Sequence, residues 1–245
     1  MDNSKLEKYT LSELKKIGSK MDLPPRRSKK EMIREISKAF KEYENYKKNK
    51  LDKYTKNYRL GNKGKEGVTY LVTTKNGKEY AMKTFRKTKS SEILIREYNF
   101  QKQASCVGIS PRVIENDTVS KYIIMEKMDC HLLDVIKKQK GNMTRTQQER
   151  IIDIFTKLDE CKIFHGDSNL TNYMLKDNII YIIDYGFSKE VNSNFIKKIG
   201  TSNPNMDIML LGFILKLKEL NCLTSSYKYL LKYLSQEHKK QFKLI

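Results

Sequence analysis

Lys83, Asp167, Asn172 and Asp184 stand in this chain where their neighbours are apolar. Lys83 lies in the run EYAMKTF, beside Ala81, Met82 and Phe85. A partly buried lysine needs a carboxylate or a phosphate next to it. Glu97, fourteen residues on in a helical stretch, is the candidate partner, ahead of Glu92. Asp167 and Asn172 are five apart in the polar stretch FHGDSNLTN, which interrupts the apolar segments RIIDIFTKLDECKI and YMLKDNIIYIIDYGFS. Asp184 ends an apolar run and has Gly186 behind it. Asn172 and Asp184 are oxygen ligands of the kind magnesium prefers and shares with substrate phosphates. Asp167 is then free to orient a hydroxyl and take its proton. Gly61, Gly64 and Gly67 sit between two β-rich runs, where a tight backbone can bring N–H groups up to an anion. Taken singly, each feature also has a structural reading: Asp, Asn, Gly and Ser favour turns, and glycines between strands make hairpins.

The elements that must position these residues follow from patterning. From Tyr58, YRLGNKGKEGVTYLVTTKNGKEYAMKTF alternates β-rich runs with glycine clusters and carries a hairpin signal at Asn76–Gly77. SSEILIREYNFQKQAS reads as a helix, with Ile93, Ile95 and Phe100 among its apolar positions, and PRVIENDTVSKYIIMEKM returns to strands. From LLDVIKKQ onward the chain is mainly helical, broken by the polar nine-mer and by short strands at YMLKD and IIYIIDY. Upstream, Thr10 with Glu13 and Ser28 with Glu31 are capping-box pairs that open two short helices. Leu11, Leu14 and Ile17 form the apolar face of the first; Met32, Ile33, Ile36 and Phe40 form that of the second. DLPPRRS between them is a turn. Residues 46–57 are charged and weakly patterned, a linker or an extension of the second helix.

Composition narrows the classes. No run of about 18 apolar residues is present, which argues against a membrane span. The N-terminus lacks the apolar core of a secretory signal. Cys106, Cys130, Cys161 and Cys222 are scattered without a CxxC pair, so they read as reduced thiols rather than zinc ligands or a disulfide framework. These readings predict an intracellular protein of the cytoplasm or nucleus, not a secreted one. The net charge is +20, and residues 1–59 hold 18 Lys/Arg against 9 Asp/Glu, almost half of the excess. A lysine-rich solvated surface and an anionic partner such as nucleic acid both account for that.

The order glycine hairpin, strand lysine, helix glutamate, D-x4-N loop and strand-borne D-x-G is the kinase set. Residues 58–245 resemble a protein-kinase fold: EYAMK matches the V-A-I-K strand, HGDSNLTN the H-R-D catalytic loop, DYG the D-F-G, and YIIMEKM the hinge. DIMLLG, Asp207 to Gly212, is similar to the D-x-W-S-x-G helix that supports the catalytic loop. The fold class this implies is α+β, two-lobed, with a truncated helical C-lobe. Residues 58–128 are then the N-lobe and hinge, and residues 129–245 the C-lobe. The resemblance also implies ATP and Mg2+, with Mn2+ as the alternative ion, and assigns Asp167, Lys83 and Glu97 to catalysis. Asn172 and Asp184 are implied as metal ligands. Leu60, Gly61, Gly64, Gly67, Ala81, Lys83, Met125 as gatekeeper, Glu126, Met128 and Met174 are implied around the nucleotide. Ahead of this region, LSELKKIGSKMDLP and SKKEMIREI resemble a SAP-type module over residues 1–45, which implies binding of DNA or RNA.

The departures matter as well. The glycine spacing is G-x-x-G-x-x-G, one residue longer than usual at its start, so Gly64 and Gly67 are the firmer phosphate contacts. Gly166 stands where the catalytic-loop arginine is usual, so activation by a phosphate paired to that arginine is not expected. Asn169 stands where a lysine is usual. Only 20 residues separate Gly186 from Asp207, without an A-P-E, and 33 follow Gly212. HGD with this short segment resembles the small kinase-ATPase of the tRNA threonylcarbamoylation complex and, more distantly, RIO kinases. REYNFQKQASCVGISPRVIE is similar to segments of reduced kinases from large DNA viruses, which adds the virion as a location. The expected activity is phosphoryl transfer to protein Ser/Thr hydroxyls, tethered to DNA. The alternatives are a small-molecule phosphotransferase, since HGD also resembles aminoglycoside and choline kinases, and a nucleic-acid-bound pseudokinase scaffold. Oligomeric state is left open.

Overall fold

The computed structural model describes residues 3–51, 53–61, 64, 66–222 and 225–244. They fall into two compact units: residues up to Lys56 with 73–78, and residues 57–72 with those from Glu79 onward.

The first unit opens with α1 (Asn3–Leu6), α2 (Leu11–Ser19) and α3 (Lys29–Leu51). Both capping boxes form. Glu13 N donates to Thr10 Oγ1 while Thr10 N donates to Glu13 Oε2, and Ser28 and Glu31 exchange the same pair of bonds. Leu6, Leu14, Met32 and Ile36 are fully buried together, with Leu11, Ile17, Ile33 and Phe40 packed around them. Helix α3 runs through to Leu51, so helix covers the first part of the charged stretch 46–57.

A five-stranded sheet follows: β1 (Tyr54–Leu60), β2 (Gly67–Thr74), β3 (Glu79–Phe85), β4 (Val113–Asp117) and β5 (Tyr122–Met125), in the order β1-β2-β3-β5-β4. The β2–β3 turn is closed by Gly77 N donating to Thr74 O and Thr74 N donating to Lys78 O. Helix α4 (Ser91–Cys106) is inserted between β3 and β4, its start capped by Ser90 accepting from Ile93 N. Its buried positions are Leu94, Glu97, Gln101 and Ala104, whereas Ile93 and Ile95 are exposed. The helix thus turns Glu97 inward along with Leu94 and leaves the apolar Ile93 and Ile95 outside. Ala81, Phe85, Leu94, Ile123 and Met125 form the small core beneath.

The helical part begins with β6 (Cys130–His131), α5 (Leu132–Lys138) and α6 (Arg145–Glu160). β7 (Ile163–Phe164) leads into the polar nine-mer, and β8 (Tyr173–Lys176) with β9 (Ile179–Ile182) forms a hairpin that pairs with β6. β10 (Lys189–Glu190) pairs antiparallel with β7. α7 (Ser193–Ile199), a π-helical turn at Asn205–Met209, α8 (Leu210–Glu219), α9 (Lys228–Leu231) and α10 (Gln236–Gln241) complete the chain. Phe155, Tyr173 and Phe213 meet edge to face, with centroids 5.0–6.3 Å apart, at the centre of the larger core. An N-terminal sheet lobe thus precedes a helical C-terminal region, and the β6–β8–β9 sheet carries the two loops that bear Asp167 and Asp184.

Candidate active site

Lys83 is placed by β3, whose register pairs it with Ile123. Its Nζ donates to Glu97 Oε1 at 2.6 Å and to Asp184 Oδ1 at 2.8 Å. Burial by itself disfavours the ammonium, but the Glu97 and Asp184 carboxylates more than offset this and hold the lysine above its ordinary range. Glu97 is the partner the sequence favoured over Glu92, and at 2% exposure it is a buried carboxylate that only paired cations make tolerable. Asp184 is also penalised by desolvation, yet Lys83 and the Gly186 N–H hold its carboxyl below the usual range. Its side chain is 46% exposed, so it faces both the lysine and open space. The residue adopts the left-handed conformation, φ 68 and ψ 75, which Asp tolerates better than most side chains.

The nine-mer is a loop of local side-chain bonds. Asp167 Oδ1 accepts from Asn169 N at 3.0 Å, and Asn169 Oδ1 accepts from Thr171 N at 3.1 Å. Asn169 thereby caps the short 3-10 turn Leu170–Asn172. Asn172 Nδ2 reaches the Asp167 carbonyl at 3.5 Å, and Asn172 O accepts from Ile183 N at 2.9 Å, tying the loop to the residue before Asp184. His165 is fully buried, and desolvation lowers its pKa. Its Nδ1 lies 3.2 Å from Asp167 O and its Nε2 3.1 Å from Ile183 O, so it braces the two loops against each other. Gly166 has φ +81, and a Cβ there would meet Phe187 O at 3.0 Å. The usual arginine has no room in this backbone.

The loop is supported by residues that the sequence reading did not single out. Asn205 Oδ1 accepts from His165 N, while Asn205 Nδ2 donates to Ile163 O and to Asp159 Oδ1, each at 2.7 Å. Asp159 also accepts from the backbone N–H groups of Asn205 and Met206. Asp207, which opens the DIMLLG stretch, accepts from the Thr201 hydroxyl, and the bond to the loop comes from Asn205, two residues earlier. The physical reason is that the position must both accept and donate. An amide does both, whereas a carboxylate only accepts. Gly212 does pack against Ser168 of the loop, as its place in the expected helix requires.

Around the remaining wall, Ala81 pairs with Met125, and Gln101 Nε2 donates to the Met125 sulfur at 3.3 Å. Glu126 N donates to Arg112 O, the Glu126 carboxylate is engaged by Lys176, and Met128 is buried in the extended segment that leads to β6. Met174 pairs with His131 across β6 and β8. Leu60 packs on the small core at the end of β1. Gly61 and Gly64 are exposed, and Gly64 N donates to Gly67 O. Gly67 is pressed so closely on β3 that a Cβ would fall 2.0 Å from Thr84 O. Two further residues join the Lys83 group, Lys89 and Glu66. Lys89 Nζ donates to Glu97 Oε2 at 2.7 Å and to Glu66 Oε2 at 2.5 Å.

The protein kinase domain family matches residues 54–203, more than half of the chain, and the chain belongs to that family. It is also similar to a KEOPS complex subunit Bud32 from Pyrococcus abyssi (strain GE5 / Orsay), 27% identical over 124 residues. That match covers 50% of this chain and 56% of the relative, so the chain spans little more than half the length of the protein it matches.

Proposed function

We propose that this chain transfers the terminal phosphoryl group of ATP to serine or threonine hydroxyls of a protein. The observation that carries the reading is the Lys83 ion pair with buried Glu97 and half-exposed Asp184, with Asp167 and Asn172 on the adjoining loop. Lys83, oriented by Glu97, has the charge and reach to hold the nucleotide's phosphates. Asn172 and Asp184 supply the oxygen ligands that fit Mg2+ or Mn2+, and such an ion, when bound, neutralises charge on the phosphoryl oxygens. Asp167 has one carboxylate oxygen occupied by Asn169 N, and the other is available to a hydroxyl, which it orients and deprotonates. The Glu126 carbonyl and the Met128 N–H are the polar edge for adenine, between Ala81, Met125 and Met174, with Leu60 above. Gly64 and Gly67 offer the loop backbone to the phosphates.

The test is transfer of labelled phosphate from ATP by the parent and by Asp167→Asn. The variant should lose transfer by several orders of magnitude while still binding nucleotide. Transfer at the parent rate would remove Asp167 from the chemistry and the reading with it.

A second acceptor class is favoured by one feature, the short segment between Gly186 and Asp207, seven residues of which are spent on α7. That leaves little extended backbone on which to lay a peptide. Small hydroxylated acceptors belong in the same labelling panel, and label on them with none on protein would shift the reading to a small-molecule phosphotransferase. For partners, we read residues 1–45 as a nucleic-acid-binding module on the strength of their charge and helix–turn–helix layout. The relative is by its name a subunit of a complex, and association with other subunits is the corresponding reading for this chain.

A further inference from the structure

The Lys83–Glu97 pair is not isolated. Glu97 presents one carboxylate oxygen to Lys83 and the other to Lys89, so two lysines share one buried acid. Lys89 is 7% exposed, and its Nζ lies 4.3 Å from the Phe85 ring centroid, on the same ring that Lys83 Nζ approaches at 5.3 Å. The second partner of Lys89 is Glu66, in the glycine-rich loop between Gly64 and Gly67. That loop is pinned by its backbone as well, since Arg86 N donates to Glu66 O at 3.0 Å. The Glu66 carboxylate also closes on the DYG turn. A methyl placed on Gly186 would sit 3.0 Å from Glu66 Oε2 and 3.4 Å from Asp184 Oδ1. The groups thus form one chain of alternating sign: Glu66, Lys89, Glu97, Lys83, Asp184.

The charges are unbalanced in an informative way. Three carboxylates face two ammonium groups: Glu97 is shared by both lysines, Asp184 accepts from Lys83 and from Gly186 N, and the Glu66 carboxylate accepts from Lys89. Glu66 is 41% exposed, whereas Glu97 is 2% exposed. A polyphosphate entering beneath the loop would meet Glu66 as a like charge, and both would compete for the same donor. If Glu66 turns out to solvent, Lys89 keeps only half of a carboxylate that Lys83 already uses. A buried ammonium in that position needs an anion, and the space Glu66 leaves is where the loop would cover phosphate oxygens.

We propose that Lys89 is a second phosphate-binding lysine of the nucleotide site, and that Glu66 occupies it in phosphate's stead until nucleotide displaces it. The inference rests on the nucleotide-binding reading above and adds to it a cation from the β3–α4 connection and a competing acid from the loop. Lys83 then serves the phosphates from the strand side and Lys89 from the loop side. Glu97 orients both.

The test measures affinity, not turnover, on the full chain. ADP and adenosine are titrated calorimetrically into the parent, Glu66→Gln, Lys89→Met, Lys89→Arg and the Glu66→Gln/Lys89→Met double variant, each checked for folding by thermal melting. Glu66→Gln should tighten ADP several-fold. Lys89→Met should weaken it about tenfold, the worth of one charge-assisted hydrogen bond to phosphate, and Lys89→Arg should retain most of the affinity. Adenosine, which has no phosphate, should bind all of them alike. In the double variant the gain from Glu66→Gln should vanish, because it operates through Lys89. Parent-like ADP binding by folded Lys89→Met overturns the inference, and so does weaker ADP binding by Glu66→Gln, which would make Glu66 a ligand rather than a competitor. In either case the parent still binds ADP and the kinase reading stands. A parent that binds neither ADP nor adenosine sinks both.

Discussion

Asn169 occupies the place of an expected lysine, and its side chain is already committed. It accepts from Thr171 N and caps the 3-10 turn that carries Asn172. Restoring a cation there therefore removes a cap. Asn169→Lys should lower stability by about 1 kcal/mol, the usual worth of a side-chain cap, whereas Asn169→Asp should keep it; urea melts of the two variants distinguish them. His165 gives a pH dependence. Its folded pKa lies below its unfolded value because the ring is buried. Above the unfolded pKa, near 6.5, both states are neutral and nothing is lost. As pH falls below it, the unfolded chain binds a proton that the folded chain resists, so stability declines with acidity. Comparing urea midpoints at pH 7.5 and 5.5 for the parent and His165→Gln should show part of the parent's loss missing from the variant. An equal loss in both would mean that other groups carry the acid sensitivity.

Among the elements, the polar nine-mer is held from outside by the amide of Asn205, at the start of the π-helical turn. Its Nδ2 faces the Asp159 carboxylate and the Ile163 carbonyl. Asn205→Asp would set an acid against both acceptors in a fully buried position, and it should cost about 3 kcal/mol or more. Asn205→Ala should cost less, because it removes the amide without adding a like charge; denaturant titration ranks the two. This support also shows where sequence reading stops. The strands, the Asn76–Gly77 turn and both N-terminal capping boxes were legible because their signals are local. The Lys83–Glu97 pairing was legible because a lysine among apolar neighbours demands an acid. The part played by Asn205 was not, since it depends on a π-helical turn and on a buried acid in α6, some 46 residues away. Nor was the buried face of α4. Ile93 and Ile95 are more apolar than Glu97, but Glu97 is the residue turned inward, because two lysines wait for it there. Lys89 and Glu66 carry no local signal in a lysine-rich chain, and only the ion pairs that join them to each other and Lys89 to Glu97 set them apart.

For the molecule as a whole, the charge has to be explained. No helix among the described residues is long and apolar enough to cross a membrane, and the balance of charge is +20. Within the N-terminal helices Leu6, Leu14, Met32 and Ile36 form the buried core. Lys15, Lys20, Arg27 and Lys30 are left on the outside, all exposed. If these cations contact nucleic-acid phosphates, each contact releases condensed counterions, and the logarithm of the binding constant falls linearly with the logarithm of salt concentration. Replacing all four by glutamine in the full chain should weaken binding to duplex DNA. It should also reduce the steepness of that salt dependence by roughly 0.9 for each phosphate no longer neutralised. Stability should hardly change, because none of the four belongs to the core. The salt slope is the decisive quantity, since a lysine-rich protein binds any polyanion weakly at low salt. A slope that the quadruple substitution leaves unaltered would assign the charge of these helices to solubility and place any nucleic-acid contact elsewhere in the chain. A slope reduced by about three to four, with the melting temperature unchanged, would place it on the outer faces of α2 and α3 and on the turn between them.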